Sequence, residues 1–135
     1  MKQAVKISKN SGPRVGRWLI YGLLDPRNKT LIYVGKTHKR REIRLQEHIE
    51  RALEGANTPV HQRIRSILNA GHSPEVFVLV RVPPDGSWQH EERHQIKLWR
   101  AITHQELPII FPPQTPKSVD VEIRNVELLN VRDGG

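Results

Sequence analysis

The chain of 135 residues contains no cysteine. Disulfide frameworks and cysteine-ligated zinc are therefore excluded, and stability must come from a buried core. Aromatic residues are scarce at 5%, with two tyrosines, two phenylalanines and three tryptophans. No run of about 18 apolar residues occurs, so no segment is expected to span a membrane. Met1 to Arg17 lacks the apolar centre of a signal peptide, and an intracellular, cytoplasmic location is expected. Acids are also few: 14 Asp and Glu stand against 22 Lys and Arg, a formal net charge of +8. That excess favours a polyanionic partner, because each neutralised phosphate releases counterions. The first acid is Asp25, and Lys2, Lys6, Lys9, Arg14 and Arg17 all precede it. Residues 1–16 read as a basic N-terminal extension.

What is present reads as one domain. Trp18 to Leu24 is a short apolar run closed by the turn Asp25-Pro26-Arg27-Asn28, and Leu31-Ile32-Tyr33-Val34 follows. Two such runs around a polar turn predict an antiparallel hairpin. From Arg40 to Leu53 the period becomes helical, with Leu45, Ile49, Ala52 and Leu53 on one stripe and Gly55 closing the helix. Thr58-Pro59 opens a second helix, striped by Val60, Ile64, Ile67 and Leu68 and ended by Gly71. Glu75 to Val82 reads as a strand, and Ser87 caps a third helix running to about Thr103. The expectation is an α/β chain of the α+β type. Its order is β-β-α-α-β-α, with a small, mostly antiparallel three-stranded central sheet flanked by helices, plus an extended tail. The domain spans 17–107, and 108–135 is a Pro-rich, β-prone tail.

The third helix carries an anomaly. Trp88, Ile96, Trp99 and Ile102 form its apolar stripe, and Glu92 lies four residues from both Trp88 and Ile96. A carboxylate on a core-facing stripe is costly unless paired. Either it sits at the stripe's edge against water or an arginine, or it points into a cleft and holds a divalent cation through oxygen. The same helix spells His90-Glu91-Glu92-Arg93-His94, a literal match to the H-E-x-x-H zinc-protease motif. There, however, the stripe turns Glu92 inward rather than the two histidines, and His104 or Glu106 is poorly placed as a third ligand. His90 and His94 are expected on an exposed helix face. Elsewhere Arg44 and His48 form an i, i+4 pair, Tyr21 and Tyr33 fall within the two hairpin strands, and Lys36 follows the second. Lys39-Arg40-Arg41 opens the first helix, either as a solvated turn or as a phosphate clamp. His38, His61 and His72 carry no special signal.

Taken in order, these residues resemble the GIY-YIG nuclease superfamily over about residues 17–103. Leu19-Ile20-Tyr21 stands where the first signature falls, with Leu for the usual Gly. Tyr33-Val34-Gly35 stands for the second. Arg44 matches the family's helix arginine, His48 the His or Tyr four residues later, and Glu92 to Ile96 the metal-binding Glu-x-x-x-Ile pattern. Many members also carry an asparagine shortly after that helix; here none lies between Glu92 and Asn125, and Gln105 and Gln114 are the amides available.

The resemblance implies a divalent-metal-dependent endonuclease acting on DNA, with RNA and the pairing of two copies left open. It implies that Glu92 anchors one Mg²⁺ or Mn²⁺, and that Arg44 holds the scissile phosphate. Tyr21 or His48 is the general base, Lys36 or the metal favouring a phenolate, and Tyr33 orients a water or the phosphate. Lys36, Lys39, Arg40 and Arg41 are candidate substrate contacts. A zinc protease and a non-catalytic nucleic-acid-binding module are the alternatives.

Overall fold

A computed structural model of the chain describes residues 17–131. The expected basic extension, 1–16, lies outside the described residues. The apolar run becomes strand β1 (Leu19–Asp25), buried along its whole length because it is the middle of a sheet. It pairs antiparallel with β2 (Thr30–Thr37), which places Tyr21 opposite Gly35 and Leu23 opposite Tyr33. Helices α1 (Arg41–Leu53) and α2 (Pro59–Asn69) follow, each succeeded by a glycine of positive φ, +95° at Gly55 and +85° at Gly71. Strand β3 (Glu75–Arg81) then returns antiparallel along the other edge of β1. Helix α3 (Trp88–Ala101) starts where Ser87 accepts a hydrogen bond from the His90 backbone N–H at 3.2 Å.

The sheet divides the core in two. Tyr21, Leu23 and Ile32 pack with Ala52 of α1 and with Val60, Ile64 and Ile67 of α2. Ile20, Leu24, Leu31 and Val34 pack with Ile96 and Trp99 of α3, with Phe77, and with Ile123 from the tail. β1 shows the period-two alternation of a strand buried on both faces, whereas in β2 the alternation slips at Ile32, where the register of the pair shifts between Leu23 and Leu24.

The sheet is not the three-stranded antiparallel one expected from the sequence. The tail adds β6 (Asn125–Val126) in parallel to β2, giving a mixed four-stranded sheet of order β3-β1-β2-β6. Before it, β4 (Ile109–Phe111) and β5 (Val121–Ile123) form a separate antiparallel ribbon. A two-residue strand carries no periodicity to read, and its pairing is set by where the chain returns.

Two tail amides also serve as strand partners. The Gln114 side chain accepts from Val78 N at 2.9 Å and donates to Val78 O at 2.7 Å. Asn130 does the same for Val34, at 3.1 Å and 2.7 Å. Each satisfies backbone groups on the side of its strand turned away from β1, where an open edge would otherwise invite another chain.

If the tail is part of the folding unit, Ile123→Ala should cost about 2–5 kcal/mol, the usual range for a buried Ile truncated to Ala. Urea denaturation measures this, and an unchanged midpoint would mean that the tail is dispensable to the core.

Candidate active site

Side chains from three elements gather around one phenol, and two of them, both from α1, reach its oxygen. Tyr21, fully buried on β1, meets His48 Nε2 at 2.8 Å and receives a hydrogen bond from Arg44 Nε at 3.2 Å. Arg44 and His48 sit one turn apart on α1 and so reach the same point. Tyr33, from β2, stacks edge-on against His48 with ring centroids 5.3 Å apart, and its centroid lies 6.3 Å from that of Tyr21. Gly35 makes room for both phenols. A Cβ there would fall 2.5 Å from the Tyr21 hydroxyl and 2.7 Å from a Tyr33 ring carbon. Both atoms belong to stiff rings held by neighbours, so no other residue fits opposite Tyr21. A register irregularity between β1 and β3 falls at Ile20/Tyr21, beside the residue being aimed.

Behind His48 the chain of polar contacts continues. His48 Nδ1 lies 3.3 Å from His61 Nε2, and His61 Nδ1 contacts the Thr58 hydroxyl. His61 is 7% exposed and Thr58 is at the surface, so the row Tyr21–His48–His61–Thr58 runs from the interior to solvent. Thr58 occupies the N-cap position of α2, yet its hydroxyl does not cap the helix. It turns to the histidine instead. A row in which each member both donates and accepts supports two opposite hydrogen-bond directions, and a proton entering one end interchanges them.

Ionisation in this row is resisted throughout. Burial, with Tyr33 adding to it, pushes the Tyr21 phenol well above its ordinary value despite the opposing Arg44. Burial likewise raises Tyr33, against Arg44 and with Glu92. Burial, then Arg44, His61 and Arg51, push His48 down to about 3, with Glu47 opposing. His61 is lowered by burial, Arg51, Arg44 and Arg65. The expectation that Lys36 would favour a Tyr21 phenolate is therefore not met. Lys36 Nζ instead lies 5.0 Å above the Trp88 ring.

Glu92 is 3% exposed, on the same face of α3 as Ile96 and Trp99, and its charge acts on both phenols. The inward orientation expected from its spacing is what the fold adopts. His90 and His94 are exposed with rings parallel and 6.3 Å apart. Among the described residues, no group of three or more His, Asp or Glu side chains is disposed to hold a metal. A donor set of one buried carboxylate beside neutral phenols suits Mg²⁺, which takes one or two protein carboxylates and fills its shell with water and phosphate oxygen.

Arg44 also donates to Glu47 at 2.9 Å, and Lys39 pairs with the other Glu47 oxygen. Hydrogen bonds from Lys39 and Arg44 hold the Glu47 carboxyl down to about 2. These side chains open onto a hollow of about 250 Å³ lined by Trp18, Lys36, Thr37, His38, Lys39, Arg44, Glu47 and Arg51. Four cations against one carboxylate make it strongly basic. Of the expected substrate contacts, Lys36 and Lys39 face this hollow. Arg40 is exposed at the start of α1, and Arg41 is turned to Glu42 and Gln114. Gln114 braces Val78 and does not enter the site.

Sequence reasoning passed over His61, Glu47 and Arg51. His61 lies three residues before Ile64 on the buried stripe of α2, and that position was its signal. Comparison with protein-family models, with curated proteins and with solved structures finds no match for this chain.

A His buried neutral binds fewer protons folded than unfolded at pH values between about 3 and 6.5. Its neutral-state stabilisation is complete above pH 6.5 and is lost as pH falls through that window. From pH 7 to pH 5, above the ordinary range of Glu47, the urea midpoint should drop, and His48→Gln should reduce the drop. The same pH slope in both proteins would count against a neutral, buried His48.

Proposed function

We propose that this chain is a divalent-metal-dependent endonuclease that hydrolyses DNA phosphodiester bonds, as its resemblance to the GIY-YIG nucleases implies. The observation that carries this reading is the meeting of Tyr21 from β1, Tyr33 from β2 and Arg44 from α1, with Arg44 also lining a basic hollow. Glu92 of α3 is buried on the core-facing side of its helix, and its charge raises both phenols. A packing role alone needs none of these charges.

Glu92 would hold the Mg²⁺ or Mn²⁺, which when bound neutralises charge on the phosphate and the leaving oxygen. Arg44 supplies a guanidinium at the edge of the hollow, already oriented by Tyr21 and Glu47, for the non-bridging oxygens of the scissile phosphate. Its value is greatest as negative charge builds on those oxygens. Lys36, Lys39 and Arg51 hold the flanking backbone.

Water attacks phosphorus, forming a P–O bond while the P–O3′ bond breaks and the 3′ oxygen departs to take up a proton. Tyr21 is fully buried and meets the hollow through Arg44, so the proton lost by the water would reach the Tyr21 oxygen as the phosphate draws that guanidinium aside and the Tyr21 proton moves to His48 Nε2. The Nδ1 proton of His48 then moves to His61 Nε2. Neither buried group carries a net charge at the end of this shift. The His61 Nδ1 proton leaves in turn past the Thr58 hydroxyl to solvent, so His61, also buried, ends neutral. Tyr21 versus His48 as general base thus ceases to be a choice, because the two act in series.

In a plasmid cleavage assay with Mg²⁺, Mn²⁺ or EDTA, Glu92→Gln should abolish the metal-dependent product while the protein stays folded. Cleavage at the wild-type rate would remove the metal assignment. Arg44→Ala should lower turnover by at least 100-fold, an order-of-magnitude expectation for a transition-state contact, with a smaller loss in binding. Equal losses in both would argue that Arg44 only binds. His61→Ala should cut turnover about 10-fold or more, with part of it restored by added imidazole. Unchanged turnover, or a loss that imidazole leaves untouched, would rule out the relay.

A further inference from the structure

A second hollow adjoins the basic one. It measures about 390 Å³ and is lined by Arg17, Trp18, Val82, Pro83, Pro84, Gly86, Ser87, Trp88 and Gln89. Trp18 is a wall of both hollows. Lys36 links them as well, since it lines the basic hollow and holds its ammonium over the Trp88 ring. The two indoles stack on each other at 5.1 Å with planes 29° apart, and His38 meets Trp18 edge-on at 4.9 Å. Both tryptophans are only half-buried, whereas the third, Trp99, is 4% exposed within the core. The chain thus places two of its few aromatic residues at the surface, as a braced pair beside the four cations of the basic hollow.

We infer that this hollow takes an unpaired nucleobase of the strand whose backbone lies along Lys36, Lys39, Arg44 and Arg51. The inference rests on the nuclease reading for its cations, and it adds the kind of nucleic acid that the site accepts. Aromatic faces beside a cationic track are the means by which proteins hold single strands, because every base has a π-face and every link a phosphate. The volume falls in the range of small-molecule sites. Pro83 and Pro84 give it apolar walls, while Arg17, Ser87 and Gln89 set hydrogen-bonding groups around the rim for a base edge. A base in an intact duplex is stacked on both sides and cannot enter. The favoured substrate is therefore single-stranded, frayed or branched near the cut.

Tryptophan fluorescence of the full chain in EDTA tests this without cleavage. A short single-stranded oligodeoxynucleotide should quench the emission strongly, and the same sequence as a closed duplex should bind through its phosphates with little quenching. An abasic scan of the oligonucleotide leaves the protein untouched. One position should weaken binding about ten-fold, the loss expected of one base–aromatic stack, and the others should change it little. Trp88→Leu, checked for folding, should weaken binding by a similar factor and make that abasic position silent.

Equal quenching by single strand and duplex, or a flat abasic scan, would overturn the inference. Quenching and a sensitive abasic position in a protein that cleaves nothing with any metal would leave the base site standing and remove the nuclease reading. Cleavage of closed duplex together with a flat scan would do the reverse.

Discussion

The site depends on keeping one phenolic hydroxyl, that of Tyr21, in a space where nothing else fits. A buried hydroxyl must be hydrogen-bonded, and a missing partner would cost about 1–3 kcal/mol. Here a guanidinium and an imidazole from successive turns of α1 supply the partners, so the helix is keyed to the strand through polar contacts as well as through the packing of Ala52. The key turns only because β2 presents a glycine opposite. The register that pairs Tyr21 with Gly35 also pairs Leu23 with Tyr33, so one hairpin geometry sets both phenols and the gap between them. A slip of one residue would send the tyrosine to the α3 side of the sheet.

Charge around that hydroxyl follows from the same packing. Arg44 and Arg51 lie on the helix that carries His48, and His61 faces it from α2, so a proton on His48 would meet repulsion from all three, opposed by Glu47. Glu47 is committed to Lys39 and Arg44. The raised phenol and the lowered imidazole are therefore two results of one condition, a site that tolerates hydrogen bonds but not isolated charge. On the proposed nuclease reading such a site would transfer protons in concert, which would give chemical meaning to a second histidine placed between the first and solvent.

Much of this was legible in the sequence because it is local. The hairpin, the starts of α2 and α3, the Arg44–His48 pair and the inward face of Glu92 each follow from spacings between near neighbours in the chain, and the fold adopts all of them. What was not legible depends on contacts between distant segments. His61 carries no special signal in the sequence until α2 packs against α1 and sets it behind His48. Asn130 and Gln114 sit in a tail without clear period, and their role as strand partners for Val34 and Val78 exists only once the chain has returned across the sheet. The three-stranded expectation failed for the same reason. Thr58 shows the converse: its position at the helix start was read correctly, but its hydroxyl answers to a histidine three residues on, a choice that only tertiary packing makes.

On the proposed nuclease reading, the two hollows would respond to strand state more than to base sequence. Phosphate contacts position a nucleic acid without reporting its sequence, and stacking on an indole discriminates weakly among bases. Joined at Trp18, the two hollows would therefore select for a backbone that can bend one base out of the helix within a nucleotide or so of Arg44. The selection would be energetic. Unstacking costs a few kcal/mol in paired DNA and much less where pairing is already lost, so flexible junctions and single strands reach the reactive geometry more readily than a closed duplex. On this view the Trp18–Trp88 pair and the Tyr21 row have complementary tasks. The first would hold the strand open beside the cations, and the second would remove a proton at the phosphate so exposed.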